Sequence, residues 1–209
     1  MKKFITVVPL QKAGQLRPYV YQPVDNEKLG SGRPSRFPIL SAVRGYVRPG
    51  EAFRVLAVLP DSDDCRQNLS LLDEELAEAC GECGISCPGA EAVTVPLDER
   101  IGTHIATFQK LIDLTEDDDE LFVCMTFGTK PLSAAVQTAV QYAYRIRKNV
   151  SLSCVVYGQV DRHSSSEPRD WIASIFDMTA LVQLDEIIRA LADRRVANPR
   201  ELLGHILSL

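Results

Sequence analysis

Leu121-Phe122-Val123-Cys124-Met125 is an unbroken apolar run, and it changes within a few residues into Thr126-Phe127-Gly128-Thr129-Lys130-Pro131. An apolar run this short, with no polar alternation, reads as a strand covered on both faces, the environment of a parallel sheet. A helical stripe follows at Leu132, Ala135, Val136, Ala139, Ala143 and Ile146, closed by Arg145, Arg147 and Lys148 at the end where cations suit the helix dipole. A buried strand feeding a Gly/Thr/Lys turn at a helix start brings hydroxyls, backbone N–H groups and one cation together, which is the chemistry of a phosphate cradle. The plainer reading of the same turn is a strand-to-helix connection that Thr caps and Gly bends.

The same alternation recurs along the chain. Strands are expected at 4–8, 53–60, 92–97, 121–125 and 150–156, with amphipathic helices at 37–47, 66–79, 101–112, 132–146 and 181–194 and a short last helix from Asn198-Pro199. Tyr19-Val20-Tyr21 has the character of a further short strand, and Trp171, Ile172, Ile175 and Phe176 read as the approach to the 181–194 helix. The fold class is therefore α/β, a mostly parallel sheet with helices on both faces joined by right-handed crossovers. Residues 1–162 are expected to form the core and 163–209 a C-terminal helical extension packed on it. Ligands of such sheets sit at the carboxyl ends of the strands. The turns there are expected to begin with Pro9-Leu10-Gln11, Asp61-Ser62, Thr126–Lys130 and Tyr157-Gly158. Residues 11–36 form a long polar loop with Lys12, Arg17, Lys28, Arg33 and Arg36, the most basic stretch of a chain whose formal charge is −5. That net charge argues against indiscriminate binding of duplex nucleic acid, so an anionic ligand needs a local basic pocket.

Several classes are disfavoured. No G-x-G-x-x-G follows the first strand, and Gly128-Thr129-Lys130 lacks the spacing of a P-loop. Cys80, Cys83 and Cys87 have the spacing of part of a zinc or iron–sulfur site, but no fourth ligand is supplied locally, and free thiols at a glycine-rich helix end are the expectation. His104 and His205 fall in helical patterns, and His163 follows the last strand in a loop, with no Ser-His-Asp or H-E-x-x-H arrangement. Six cysteines without a secretion signal suggest a reducing cytoplasm. No apolar stretch is long enough to cross a bilayer, so no membrane partner is expected.

With those residues in view, the chain resembles a CARF domain, the CRISPR-associated Rossmann-fold sensor of cyclic oligoadenylates. The resemblance is carried by Thr126-Phe127-Gly128-Thr129-Lys130-Pro131 with its following helix, by Val155-Val156-Tyr157-Gly158, and by Asp177-Met178-Thr179-Ala180-Leu181, which is similar to an Asp-Leu-Thr segment of one branch. In that branch's turn an aspartate stands at the place of Cys124, a histidine at that of Phe127 and often an arginine at that of Lys130. The resemblance implies a Rossmann-like fold and a two-fold homodimer with a cyclic tetra- or hexa-adenylate across its axis, in type III CRISPR antiviral defence. By it Thr126, Gly128, Thr129 and Lys130 would bind phosphate and ribose, with Phe127 a further ligand contact, Leu10, Gln11 and Lys12 would contact a base, and Arg33 and Arg36 would close over the ring. Asp61, Ser62, Tyr157 and Gly158 complete the expected ligand contacts at the strand ends. No resident cofactor or metal is expected, and the output would either pass to a separate effector protein or be ligand binding alone. A metal-independent ring nuclease, with Thr129 and Lys130 positioning and stabilising in-line attack, is the second expectation. A different Rossmann-like enzyme using a mononucleotide or S-adenosylmethionine is the third.

Overall fold

In a computed structural model residues 1–207 of the 209 are described. Among them eight strands and six helices alternate: β1 (Lys2–Val7), β2 (Tyr19–Pro23), β3 (Pro34–Ser35), α1 (Ile39–Tyr46), β4 (Phe53–Pro60), α2 (Asp63–Cys83), β5 (Ala90–Val95), α3 (Ile101–Asp113), β6 (Glu120–Cys124), α4 (Lys130–Ile146), β7 (Ser151–Asp161), β8 (Ile172–Asp177), α5 (Thr179–Asp193) and α6 (Pro199–Leu207). One sheet takes the order β3-β2-β8-β7-β6-β1-β4-β5. The five strands β5, β4, β1, β6 and β7 are mutually parallel, the doubly wound order in which the winding reverses between β1 and β6. Two apolar layers cover this sheet. One is built on Phe4, Val55, Phe122, Val156, α1 and α2, the other on Ile5, Leu56, Val123, Val155, α3 and α4. Alternate residues of each strand serve the two layers, so a strand buried on both faces reads as continuous apolar sequence.

Local chemistry sets the helix ends. Ser62 caps α2 by accepting from the Cys65 N–H, and Gly84 (φ +65) ends it in the left-handed region, so the helix runs one turn past the expected 79 and contains Gly81. At the amino ends of the strands Lys3 is fully buried. Its Nζ lies 2.7 Å from Asp119 Oδ2 and 2.7 Å from the Leu114 carbonyl. A charge buried that deeply holds only because its partner and acceptor are in place.

Two expectations change at the far edge. β7 is eleven residues long, so Tyr157 and Gly158 lie inside a strand and not at its end. It pairs antiparallel with β8, Gly158 opposite Ile175 and Val160 opposite Ala173. Residues 172–177, expected as the approach to a helix, are this sheet strand, and the two C-terminal helices follow it. β2 then adds beside β8 in parallel, with β3 beyond it, so part of the long basic loop is the sheet's outer edge. No helix among the described residues is long and apolar enough to cross a membrane.

Candidate functional site

The winding reversal leaves an opening beyond the carboxyl ends of β1 and β6, where neighbouring crossovers leave the sheet on opposite sides. The turn after β6 straddles it. Gly128 has φ +105, and a Cβ there would meet Val7 Cγ1 at 3.2 Å, so glycine satisfies both the backbone and the close packing. Thr129 caps α4 by accepting from the Leu132 N–H, and Pro131 follows in the first turn, where an N–H is expendable. Within the described residues the N–H groups of Phe127, Gly128, Thr129 and Lys130 meet no acceptor. The Thr126 hydroxyl accepts from the Gly158 N–H at 2.8 Å and from the Cys124 thiol at 3.3 Å, so its own proton is left to donate.

On the α1 side of this turn lies a cleft of about 600 Å³, within the range of small-molecule sites. One wall is Thr126 and Phe127. Opposite are Tyr19 and Tyr21, two apart on β2 and so on one face, and the outer wall is Arg162 and Trp171 from the β7–β8 hairpin. Gly158 and Val160, also two apart, lie between. Gly158 has no room for a side chain, because a Cβ would stand 2.4 Å from Pro38 Cγ. Arg17 and Arg36 complete the cationic lining, and among the described residues no Asp or Glu borders the cleft. Arg36 is partly spent. Its Nη1 lies 2.7 Å from Glu75 Oε1 and its Nε donates to the Leu16 carbonyl at 3.1 Å. Among the described residues Arg17 meets no carboxylate, and Arg162 only stacks, with its Cζ 5.9 Å from the centre of the Trp171 ring. Burial pushes the Tyr21 phenol upward, so it stays neutral in the cleft.

The other face of the turn is different. There Leu10 and Thr129 border a narrow groove with Asp98, Glu99 and His104. The Thr129 hydroxyl donates to Glu99 Oε2 at 3.1 Å, and His104 Nε2 lies 3.2 Å from the same oxygen. His104 is nine-tenths buried in α3, and its Nδ1 has no partner.

The expected site residues therefore separate. Gln11, Arg36, Thr126, Phe127 and Gly158 meet at the cleft, while Leu10 and Thr129 turn to the groove. Lys12 and Lys130 are exposed at the sheet edge. Ser62 is occupied as the α2 cap, and Asp61 pairs with Arg66. Arg33 reaches Glu82 at 3.3 Å. Tyr157 points to the opposite sheet face against α4 and α5, as strand alternation requires of a neighbour of Gly158. His163 is exposed in the hairpin. The three closely spaced cysteines run from buried Cys80 through half-buried Cys83 to exposed Cys87, all as free thiols, and no group of three or more His, Cys, Asp or Glu among the described residues is placed to hold a metal. Arg162, Trp171, Tyr19, Tyr21, Glu99 and His104 were not expected at the site. For Tyr19, Tyr21, Arg162 and Trp171 the only signal is spacing by two (19/21, 158/160/162, 171/173/175), which becomes visible once 157–161 and 172–177 are read as strands, and no such spacing marks Glu99 or His104.

No family model matches the chain, and no curated protein matches it.

Proposed function

We propose that the chain is a homodimeric sensor of a cyclic oligoadenylate, the tetra- or hexa-adenylate, acting in type III CRISPR defence through a separate effector. The observation that carries this reading is a cleft bordered, among the described residues, by three arginines and no carboxylate, at the winding reversal of a chain whose net charge is −5. Beside it lies a turn with four successive unpaired N–H groups and an available threonine proton. Such a site suits an aromatic, phosphate-bearing ligand. A ring of repeated nucleotides on a two-fold axis lets each protomer use the same turn once. Calorimetry of the purified chain with cyclic tetra- and hexa-adenylate tests the reading. Saturable binding at one ring per two chains is expected, and Lys130→Ala weakens it. Absence of binding by both rings overturns it, and one ligand per chain favours a mononucleotide enzyme instead.

One observation favours a second reading, a ring nuclease. The Thr129–Glu99–His104 chain puts a carboxylate behind the turn hydroxyl. In that reaction a ribose 2′-hydroxyl attacks the adjacent phosphorus, its proton passes through the Thr129 hydroxyl to Glu99, and the P–O5′ bond breaks as water gives a proton to the leaving O5′, which leaves a 2′,3′-cyclic phosphate and a 5′-hydroxyl. Chromatography of nucleotide recovered from the same titration distinguishes a cleaved ring from an intact one.

A further inference from the structure

The β7–β8 hairpin contributes one large aromatic to the cleft, and its attachments limit what that residue offers a ligand. The Trp171 Nε1–H donates to the Ser165 carbonyl at 3.0 Å, inside the hairpin. The next residue is pinned as well, since the Ile172 N–H donates to Ser164 Oγ at 2.8 Å. The indole is thus half-buried, held in place at the cleft wall, and has no donor left. What remains is its π-system, with the Arg162 guanidinium over one face, its Cζ 5.9 Å from the ring centre. Trp171 directly precedes β8, whose Ala173 pairs with Tyr21, so the indole enters the cleft from the hairpin end of the strand. This wall supplies a stacking surface with no indole donor, and the polar groups of the cleft, Gln11, Gln15 and Tyr19 among them, stand elsewhere around it.

We infer that Trp171, with Arg162 over one face of its ring, is a stacking platform for one nucleotide base, one that prefers purines to pyrimidines. The inference rests on the proposal that the cleft takes a nucleotide, and it adds which wall holds the base and how selective that wall is. Stacking follows the area and polarisability of the base, so the larger purines gain more. Arg162 adds a cation beside the stacked base, where the nucleotide's own phosphate needs one.

Trp171 is the single tryptophan of the chain, so its emission reports the platform directly. Wild-type protein is titrated with adenosine, guanosine, cytidine and uridine monophosphates while tryptophan fluorescence is followed. Calorimetry with cyclic tetra-adenylate is run on wild type, Trp171→Phe and Trp171→Leu, with thermal melts to confirm that each variant folds. The purine monophosphates should quench, and the pyrimidines several-fold more weakly. Trp171→Leu should weaken the ring by roughly 5- to 100-fold, and Trp171→Phe should retain most of the affinity. Cyclic tetra-adenylate that binds wild type without changing its fluorescence, and binds Trp171→Leu equally well, overturns the platform and leaves the sensor reading intact. Purine quenching without binding of either ring keeps the platform and removes the sensor. Silence from every monophosphate and both rings removes both. Pyrimidine monophosphates that quench as strongly as the purines overturn the selectivity.

Discussion

Asp177 shows how a residue quoted for a family likeness can act in the structure. It ends β8, and its Oδ1 accepts from the Thr179 N–H at 3.0 Å and from the Thr179 hydroxyl, while Oδ2 accepts from Asn26 Nδ2 at 2.7 Å. Asn26 also donates to the Tyr46 hydroxyl at 2.7 Å, so one carboxylate ties the long N-terminal loop, α1 and the start of α5 to the sheet. Burial raises the Asp177 pKa, but the bonds from Thr179 and Asn26 outweigh it and hold the group below its ordinary 3.8. A carboxylate depressed in the folded state contributes stability that is complete above the unfolded value and is lost as pH falls through the folded one. The same charge, with burial, raises the neighbouring Cys154 thiol to about 12, so that thiol stays protonated. Because Asp177 is only half-buried, solvent screening places its contribution near the low end for a charged hydrogen bond. Asp177→Asn should lower stability by about 1 kcal/mol at pH 7. The difference from wild type should shrink below pH 3.8 and vanish once the native carboxylate protonates. Urea melts at pH 7 and at acid pH measure this, and a difference that does not change with pH would count against the charge as its origin.

At the scale of elements, the parallel core was legible because strands covered on both faces have no polar positions. The runs at 53–60 and 121–124 declare themselves, and their caps, Ser62 and Thr129, stand where helix starts need them. The β7–β8–β2 edge was not. Ile172, Ile175 and Phe176 are spaced as well for a helix as for a strand, and Gly158 resembles a turn residue although it sits inside β7 under Pro38. Only pairing across the sheet separates these alternatives, and pairing is a non-local property. α5 shows the converse. Its periodicity is clear, yet none of its residues is fully buried. Its anchor is Arg145 of α4, four-fifths buried and bonded to both Asp185 and Glu186. An anchor made of charge-assisted bonds in place of buried apolar area predicts local opening, not global unfolding, when it is cut. Arg145→Ala should raise amide hydrogen exchange across 179–193 by about tenfold or more, the effect of losing roughly 1.5–3 kcal/mol of charged bonding. Exchange in β1 and β6 should stay as in wild type. Unchanged protection in α5 would mean that Met178 and Val182, packed against the sheet, hold it without the arginine.

For the molecule as a whole the question raised by the proposed sensor is how a chain of net charge −5 would recruit a polyanion. The sheet separates charge along its length. The acidic turn Glu116-Asp117-Asp118-Asp119 lies at the amino ends of the strands, with Asp119 against Lys3, and the arginine-bordered cleft lies at the carboxyl ends. β1 has six residues, so the two ends stand about 20 Å apart at ~3.3 Å per residue. The screening length is about 10 Å at 0.1 M salt, so the acidic end is roughly two screening lengths from a bound phosphate, and the local arginines outweigh the net charge. Binding of cyclic tetra-adenylate should weaken as salt rises from 50 to 500 mM. Arg17→Ala should lower the affinity several-fold at low salt and flatten that dependence, because one cation has left the cleft. Asp118→Asn removes a charge at the far end while suiting the left-handed backbone there (φ 62), and it should leave both affinity and salt slope within error of wild type. If the two substitutions instead shift affinity in opposite directions by similar factors, the ligand responds to the total charge of the protein and not to the cleft, and the site must be sought elsewhere on the sheet edge.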